Sequence, residues 1–188
     1  MNDTYIISKM NEFMHQLSGK LAEWLSRILP KLTDDWWNEL VINNLSMIQR
    51  TQVEQKHIEN LQSLDLSALL RVFDRNWYVI SGTFFINSRE RNNLKDMFEV
   101  RNTWAHISNE SISKEKVIHD MDIIISLMQT LDAKNDETRD MEIFVLDVED
   151  DKDIKPIRNE KEKIDKKNQS IEEQKDSSDI KMGDVYVN

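Results

Sequence analysis

A chain of 188 residues, 39% of them hydrophobic, has room for one ordinary domain and an extension but not for two large domains. It contains no cysteine, which excludes disulfides, thiolate metal sites and a cysteine nucleophile. The formal net charge of −10 is unevenly spread: residues 1–134 hold 15 Lys and Arg against 18 Asp and Glu, and residues 135–188 hold 10 against 17, so the acidity does not argue against nucleic-acid binding by the first part.

The first residues lack a basic stretch followed by an apolar one, and no run approaches the roughly 18 apolar residues that span a bilayer. The chain therefore reads as cytoplasmic, with no membrane partner. Three glycines and two prolines disfavour an all-β fold with its many tight turns. From Tyr5 to Leu29 apolar residues recur at three- and four-residue steps (Ile6, Met10, Phe13, Leu17, Leu21, Trp24, Ile28), which predicts a helix that Pro30 stops. Thr33 or Asp34 is the expected cap of a second helix opening at Trp36 and Trp37, with a break near Asn43-Asn44. Residues 51–60 either continue it or connect to the next element. Asp65 caps a third helix carrying Leu66, Leu69, Leu70, Phe73, Trp77 and Ile80, which Gly82 ends or bends.

A fourth helix runs from Ser88 to about His106, with Leu94, Met97, Phe98, Arg101 and Ala105 along one side, followed by the polar turn Ser108-Asn109-Glu110. Ser113 caps a closing helix with Val117, Met121, Ile124, Met128 and Leu131. The expected architecture is all-α, a four- to five-helix bundle over residues 1–134 with antiparallel neighbours. Residues 135–188 read as an acidic, mostly disordered tail, with one short β-prone island at Met141–Val148.

Chemistry concentrates in Arg101-Asn102-Thr103-Trp104-Ala105-His106. Asn102 and His106 are four apart and share a helix face, and the long Arg101 stem reaches toward them. A guanidinium holds a phosphate by two parallel hydrogen bonds, and an imidazole moves a proton near neutral pH. These are parts for phosphodiester cleavage, with Arg101, Asn102 and His106 as the candidate catalytic residues. The structural alternative is that they cap carbonyls and satisfy neighbours. His15, His57 and His119 have no companions at metal-ligand spacing and read as surface or capping residues, so neither metal nor cofactor is expected. Trp104 and Ala105 read as packing, Trp36, Trp37 and Trp77 as core or dimer contacts. Asp96 and Glu99 are possible ion-pair partners of Arg101. Arg89 and Arg91 either extend a phosphate-binding face or simply start a solvated helix.

The Arg-Asn-x-Trp-Ala-His run near the end of the penultimate helix resembles the HEPN family, and more narrowly its Swt-type subgroup. Asp34-Asp35-Trp36-Trp37, the run Leu64–Leu70 ahead of Asn76-Trp77, Val100, and Ser113 with the closing helix also fit, so the resemblance covers roughly residues 15–133. It implies a metal-independent ribonuclease working as a homodimer, with Arg101 and His106 lining a cleft between protomers. It also implies a role as a toxin or defence component, with a helicase or restriction-type protein as a possible partner. HEPN toxins paired with a nucleotidyltransferase antitoxin commonly carry Tyr two residues after the His; Ser108 stands there, which makes that pairing a poorer fit.

Metal-free RNA cleavage needs a base for the 2′-OH, an acid for the 5′-oxygen and positive charge on the transition state. Two copies of His106 in a two-fold dimer would share the proton transfers, with Arg101 on the phosphate and Asn102 orienting either. Two non-catalytic readings stand beside this one. The first is an HEPN module that dimerises or docks a helicase or restriction partner. The second is a regulatory protein whose tail from Met141 folds on a partner, so that truncation at Lys134 leaves the bundle folded.

Overall fold

The computed structural model describes residues 1–84, 86–107, 112–152 and 154, apart from the side chains of Ser88 and Arg89. Among them every regular element is helical, as the periodicity predicts. Helix α1 (Asp3–Ile28) starts at Asn2, whose side chain accepts from the Tyr5 N–H at 2.8 Å, and buries Ile6, Met10, Phe13, Leu17, Leu21, Trp24, Leu25 and Ile28 along one stripe. The helix tightens into a single 3₁₀ turn (Leu29–Lys31) around Pro30, which cannot donate to a preceding carbonyl.

The Trp36-Trp37 segment forms one π-helical turn (Trp37–Val41) and one 3₁₀ turn (Ile42–Asn44) rather than a long helix. Neither Thr33 nor Asp34 caps it; Thr33 Oγ1 instead donates to Glu39 at 2.8 Å. The break expected at Asn43-Asn44 is present, and α2 (Met47–Lys56) begins just beyond it with a reciprocal cap between Ser46 and Gln49. His57 ends α2 in the left-handed region at φ 51°.

Asp65 caps α3 (Leu66–Arg75) by accepting from the Ala68 N–H at 2.8 Å. The expected third helix divides at Asn76, not at Gly82, which lies inside α4 (Trp77–Phe84). Asn76 is buried, and its amide donates to Leu40 O at 2.7 Å and Val72 O at 2.8 Å. A buried amide needs such partners, and here they tie the irregular segment to the α3–α4 joint. Asn44 and Arg71 extend the same network.

Helices α5 (Ser88–His106) and α6 (Lys114–Thr130) are antiparallel: Glu90 meets Thr130, Asn93 meets Ser126, and Trp104 meets Asp120, each at 2.7 Å. The long helix α1 packs against α3, α5 and α6 and occupies the centre of the bundle.

The acidic extension differs from expectation. Residues Asn135–Asp150 form a helix, α7, and the compact unit runs from Met1 to Lys155, past the expected boundary at 134. Met141, Phe144 and Val148 are spaced for one helical face and are buried, so the alternation at 141–148 reports a helix and not a strand. Phe144 lies 5.4 Å from the Phe13 ring and 6.3 Å from Tyr5, and Lys20 pairs with Glu137 at 2.8 Å, which makes α7 antiparallel to α1. The disordered tail expected after this helix, and the turn Ser108-Asn109-Glu110, lie outside the described residues. No helix among the described residues is long and apolar enough to cross a membrane.

Candidate functional site

Arg101, Asn102 and His106 stand on the last two turns of α5. The buried stripe of that helix is Leu94, Met97, Val100 and Trp104, one step round from the expected stripe. Arg101 is therefore left half-buried at its edge, while Ala105, expected to pack, is exposed. Asn102 and His106 are exposed on the adjoining face, about 100° and about 140° round the helix from Arg101.

Arg101 Nη1 donates to Asn102 Oδ1 at 3.1 Å, so the structure brings these two together. Among the described residues Arg101 has no carboxylate partner; neither Asp96 nor Glu99 pairs with it. His106 makes no hydrogen bond to Arg101 or Asn102, and no described residue orients its imidazole.

The end of α5 is held from below. Trp104 is 2% exposed, and its indole N–H donates to Asp120 Oδ2 on α6, the same oxygen that accepts from Lys116 at 2.9 Å. Trp104 is packing, as expected, but it is also a hydrogen-bonded anchor.

Beside Arg101 a cavity of about 400 Å³ opens between α1, the segment before α3 and α5. Arg101 and Ala105 line it from α5, Met14 and His15 from α1, and Gln62, Leu64 and Asp65 complete much of the wall. His106 does not line it. His15 is a surface residue, as expected, yet it shares a cavity with Arg101; it is far from the motif in sequence, and only the packing of α1 against α5 reveals the pairing.

The other candidates are accounted for locally. Arg91 stacks on Tyr78 with its guanidinium carbon 4.7 Å from the ring, donates to Tyr78 Oη at 2.8 Å and approaches Asp74 at 3.5 Å. The bond to Tyr78 first, and Asp74 after it, hold its pKa above the ordinary value. It is engaged in the fold and not free for phosphate; the Arg89 side chain lies outside the described residues. Trp77 is buried against Phe73, and Trp36 and Trp37 meet edge to face at 5.6 Å, half-buried. His119 is exposed on α6. Among the described residues no three His, Asp or Glu side chains converge as a metal-ligand set.

No curated protein and no solved structure matches the chain. The family model described as Swt1-like HEPN matches residues 12–132, from within α1 through the end of α6, which includes all of the cavity lining but Asn11 and the whole motif helix. The chain belongs to the Swt1-like HEPN family.

Proposed function

We propose that the protein is a metal-independent endoribonuclease that acts as a homodimer. The observation that carries this reading is the setting of Arg101: a half-buried residue with no carboxylate partner among the described residues, its guanidinium bonded to Asn102, on the same helix end as an exposed imidazole five residues on. A guanidinium so placed favours the extra negative charge of a pentacoordinate phosphorus more than the ground-state diester. In the proposed step a base takes the proton of the 2′-OH as its oxygen attacks phosphorus. The bond to the 5′-oxygen breaks, and an acid delivers a proton to that oxygen, leaving a 2′,3′-cyclic phosphate. One imidazole cannot fill both roles in the same event, and a two-fold partner supplies the second His106.

The same observation favours one other reading, in which His106 is not used and the domain docks a helicase or restriction-type partner. End-labelled RNAs incubated in EDTA with the protein and with His106→Ala separate the two. Products ending in 2′,3′-cyclic phosphate, lost in the variant, support the ribonuclease. No products from either protein while the dimer is intact support the docking module, and equal products from both would remove His106 from the reaction. A role as a toxin or defence component, which membership of the family suggests, is proposed beside the nuclease reading and is tested by toxicity on expression that requires Arg101 and His106.

A further inference from the structure

We infer that the outer face of α7 docks on the start of α2 in a second copy of this chain, a contact separate from the proposed two-fold homodimer. Two neighbouring pairs of exposed large apolar side chains stand among charges of opposite sign. Ile143 and Leu146, three apart on α7, are 45% and 59% exposed. At about 100° per residue they share the outer face with Arg139 and Asp150. Asp136, Asp140, Glu142, Asp147 and Glu149 are exposed along its flanks. None of these six carboxylates is in an ion pair among the described residues.

The opposite arrangement occurs at α2. Met47 and Ile48, in its first turn, are 84% and 73% exposed. Arg50 donates to Leu45 O at 3.4 Å and Arg71 to Asn44 O at 2.8 Å, which gathers two guanidinium groups beside this turn. Arg75 is exposed one turn beyond Arg71 on α3. None of the three arginines pairs with a carboxylate among the described residues. Asp74 is taken by Arg91, and Glu54 is the one other acid of α2 and α3, so positive charge prevails.

Each surface offers what the other lacks. Covering both apolar pairs removes them from water, and the unbranched Met47 adapts its shape to the contact. Guanidinium groups beside Met47 and Ile48 meet carboxylates beside Ile143 and Leu146, and such charge-assisted bonds fix register. A second copy is the occupant that carries both halves. Because the two surfaces differ, the contact is heterologous: each joined copy leaves one surface of each kind open, and association continues. The helix that supplies the acidic half lies beyond residues 12–132, which the family model matches.

Sedimentation equilibrium of the full chain from about 10 μM to about 1 mM, the range of weak contacts, reads this association. The average mass is expected to keep rising with concentration instead of levelling at a monomer or dimer. Salt at about 0.5 M is expected to suppress the rise, because charges at an exposed rim are screened. Ile143→Lys with Leu146→Lys, or Met47→Glu with Ile48→Glu, changes exposed positions only, and each pair is expected to stop the rise. An equal mixture of the two variants is expected to associate again, since each keeps the surface that the other has lost; that rescue also shows that both are folded. A mass that levels at a monomer or dimer, a rise that only one variant stops, or a mixture that stays as small as its components would overturn the inference. Neither variant alters Arg101, Asn102 or His106, so the result stands apart from whether RNA is cut.

Discussion

Trp104 Nε1 donates a 2.7 Å hydrogen bond to Asp120, so a residue inside the Arg-Asn-x-Trp-Ala-His run locks the motif helix to the next one. Asp120 is 3% exposed, and Lys116, one turn earlier on α6, donates to the same oxygen at 2.9 Å. A buried carboxylate is tolerated because both a cation and an indole N–H satisfy it. The candidate side chains Arg101, Asn102 and His106 stand on the outer faces of a helix end whose inner face is fixed by this contact.

Asp120→Ala leaves a buried indole N–H without an acceptor, a loss of about 1–3 kcal/mol. Asp120→Asn keeps an acceptor and is expected to cost less. Urea denaturation followed by circular dichroism measures both. An Asp120→Ala midpoint equal to that of the unaltered protein would show that Trp104 finds another partner or is held by packing alone.

The catalytic candidates are expected to behave oppositely, with large effects on activity and small ones on stability. His106 is exposed and makes no hydrogen bond among the described residues, so His106→Ala should shift stability by less than about 0.5 kcal/mol. If it moves a proton, its loss slows cleavage by about 10²–10⁴-fold. Arg101→Lys retains the charge but not the fork that holds two phosphate oxygens, and it is expected to fall well short of wild-type rate. Full activity in Arg101→Lys would mean that only a point charge is needed there.

How far the sequence revealed this arrangement depends on how one-sided each pattern is. In α1 every third or fourth residue from Ile6 to Ile28 is apolar, and the buried stripe matches the expectation. In α5 two neighbouring stripes both contain large apolar groups, Phe98 on one and Val100 on the other, and spacing alone does not choose between them. Asp120 chooses, by offering the only kind of partner a buried indole N–H needs, and that acceptor belongs to another helix. The motif was legible as a run of candidate residues on one helix end; the cavity was not, since His15 and Gln62 reach it only through packing. Asn76 shows the same limit, because its partners Leu40 and Val72 explain the α3–α4 break and one of them is distant in sequence. The stretch Met141–Val148 carries both a two-residue and a three- and four-residue rhythm. Phe13 and Tyr5 on α1 give the second rhythm a surface to cover.

Because α7 covers that surface, it is expected to be an integral part of the bundle. Truncation at Lys134 removes Met141, Phe144 and Val148, and should lower the melting temperature sharply or abolish folding. Phe144→Ala alone is expected to cost about 3–5 kcal/mol, the range for a large buried aromatic. A chain ending at Lys134 that melts like the full protein would restore the reading of this segment as a dispensable, partner-binding tail.

The junction of α7 with α1 also predicts a pH dependence. The Lys134 backbone N–H donates to Glu137 at 2.8 Å, and Lys20 donates to the same carboxylate at 2.8 and 3.0 Å. The backbone bond first, and Lys20 second, hold the Glu137 pKa below its ordinary value of 4.5. A carboxylate depressed in the folded state binds its proton less readily there than in the unfolded chain, so its contribution is complete above the ordinary value. It is lost as the pH falls through the lower, folded value. Thermal midpoints of the full chain and Glu137→Gln should therefore differ most above about pH 5 and converge toward pH 3. Because Glu137 is partly exposed, salt should narrow the gap contributed by Lys20 while leaving the backbone bond's share in place. A gap that stays constant from pH 3 to pH 7 would show that the carboxylate is held by shape and not by charge.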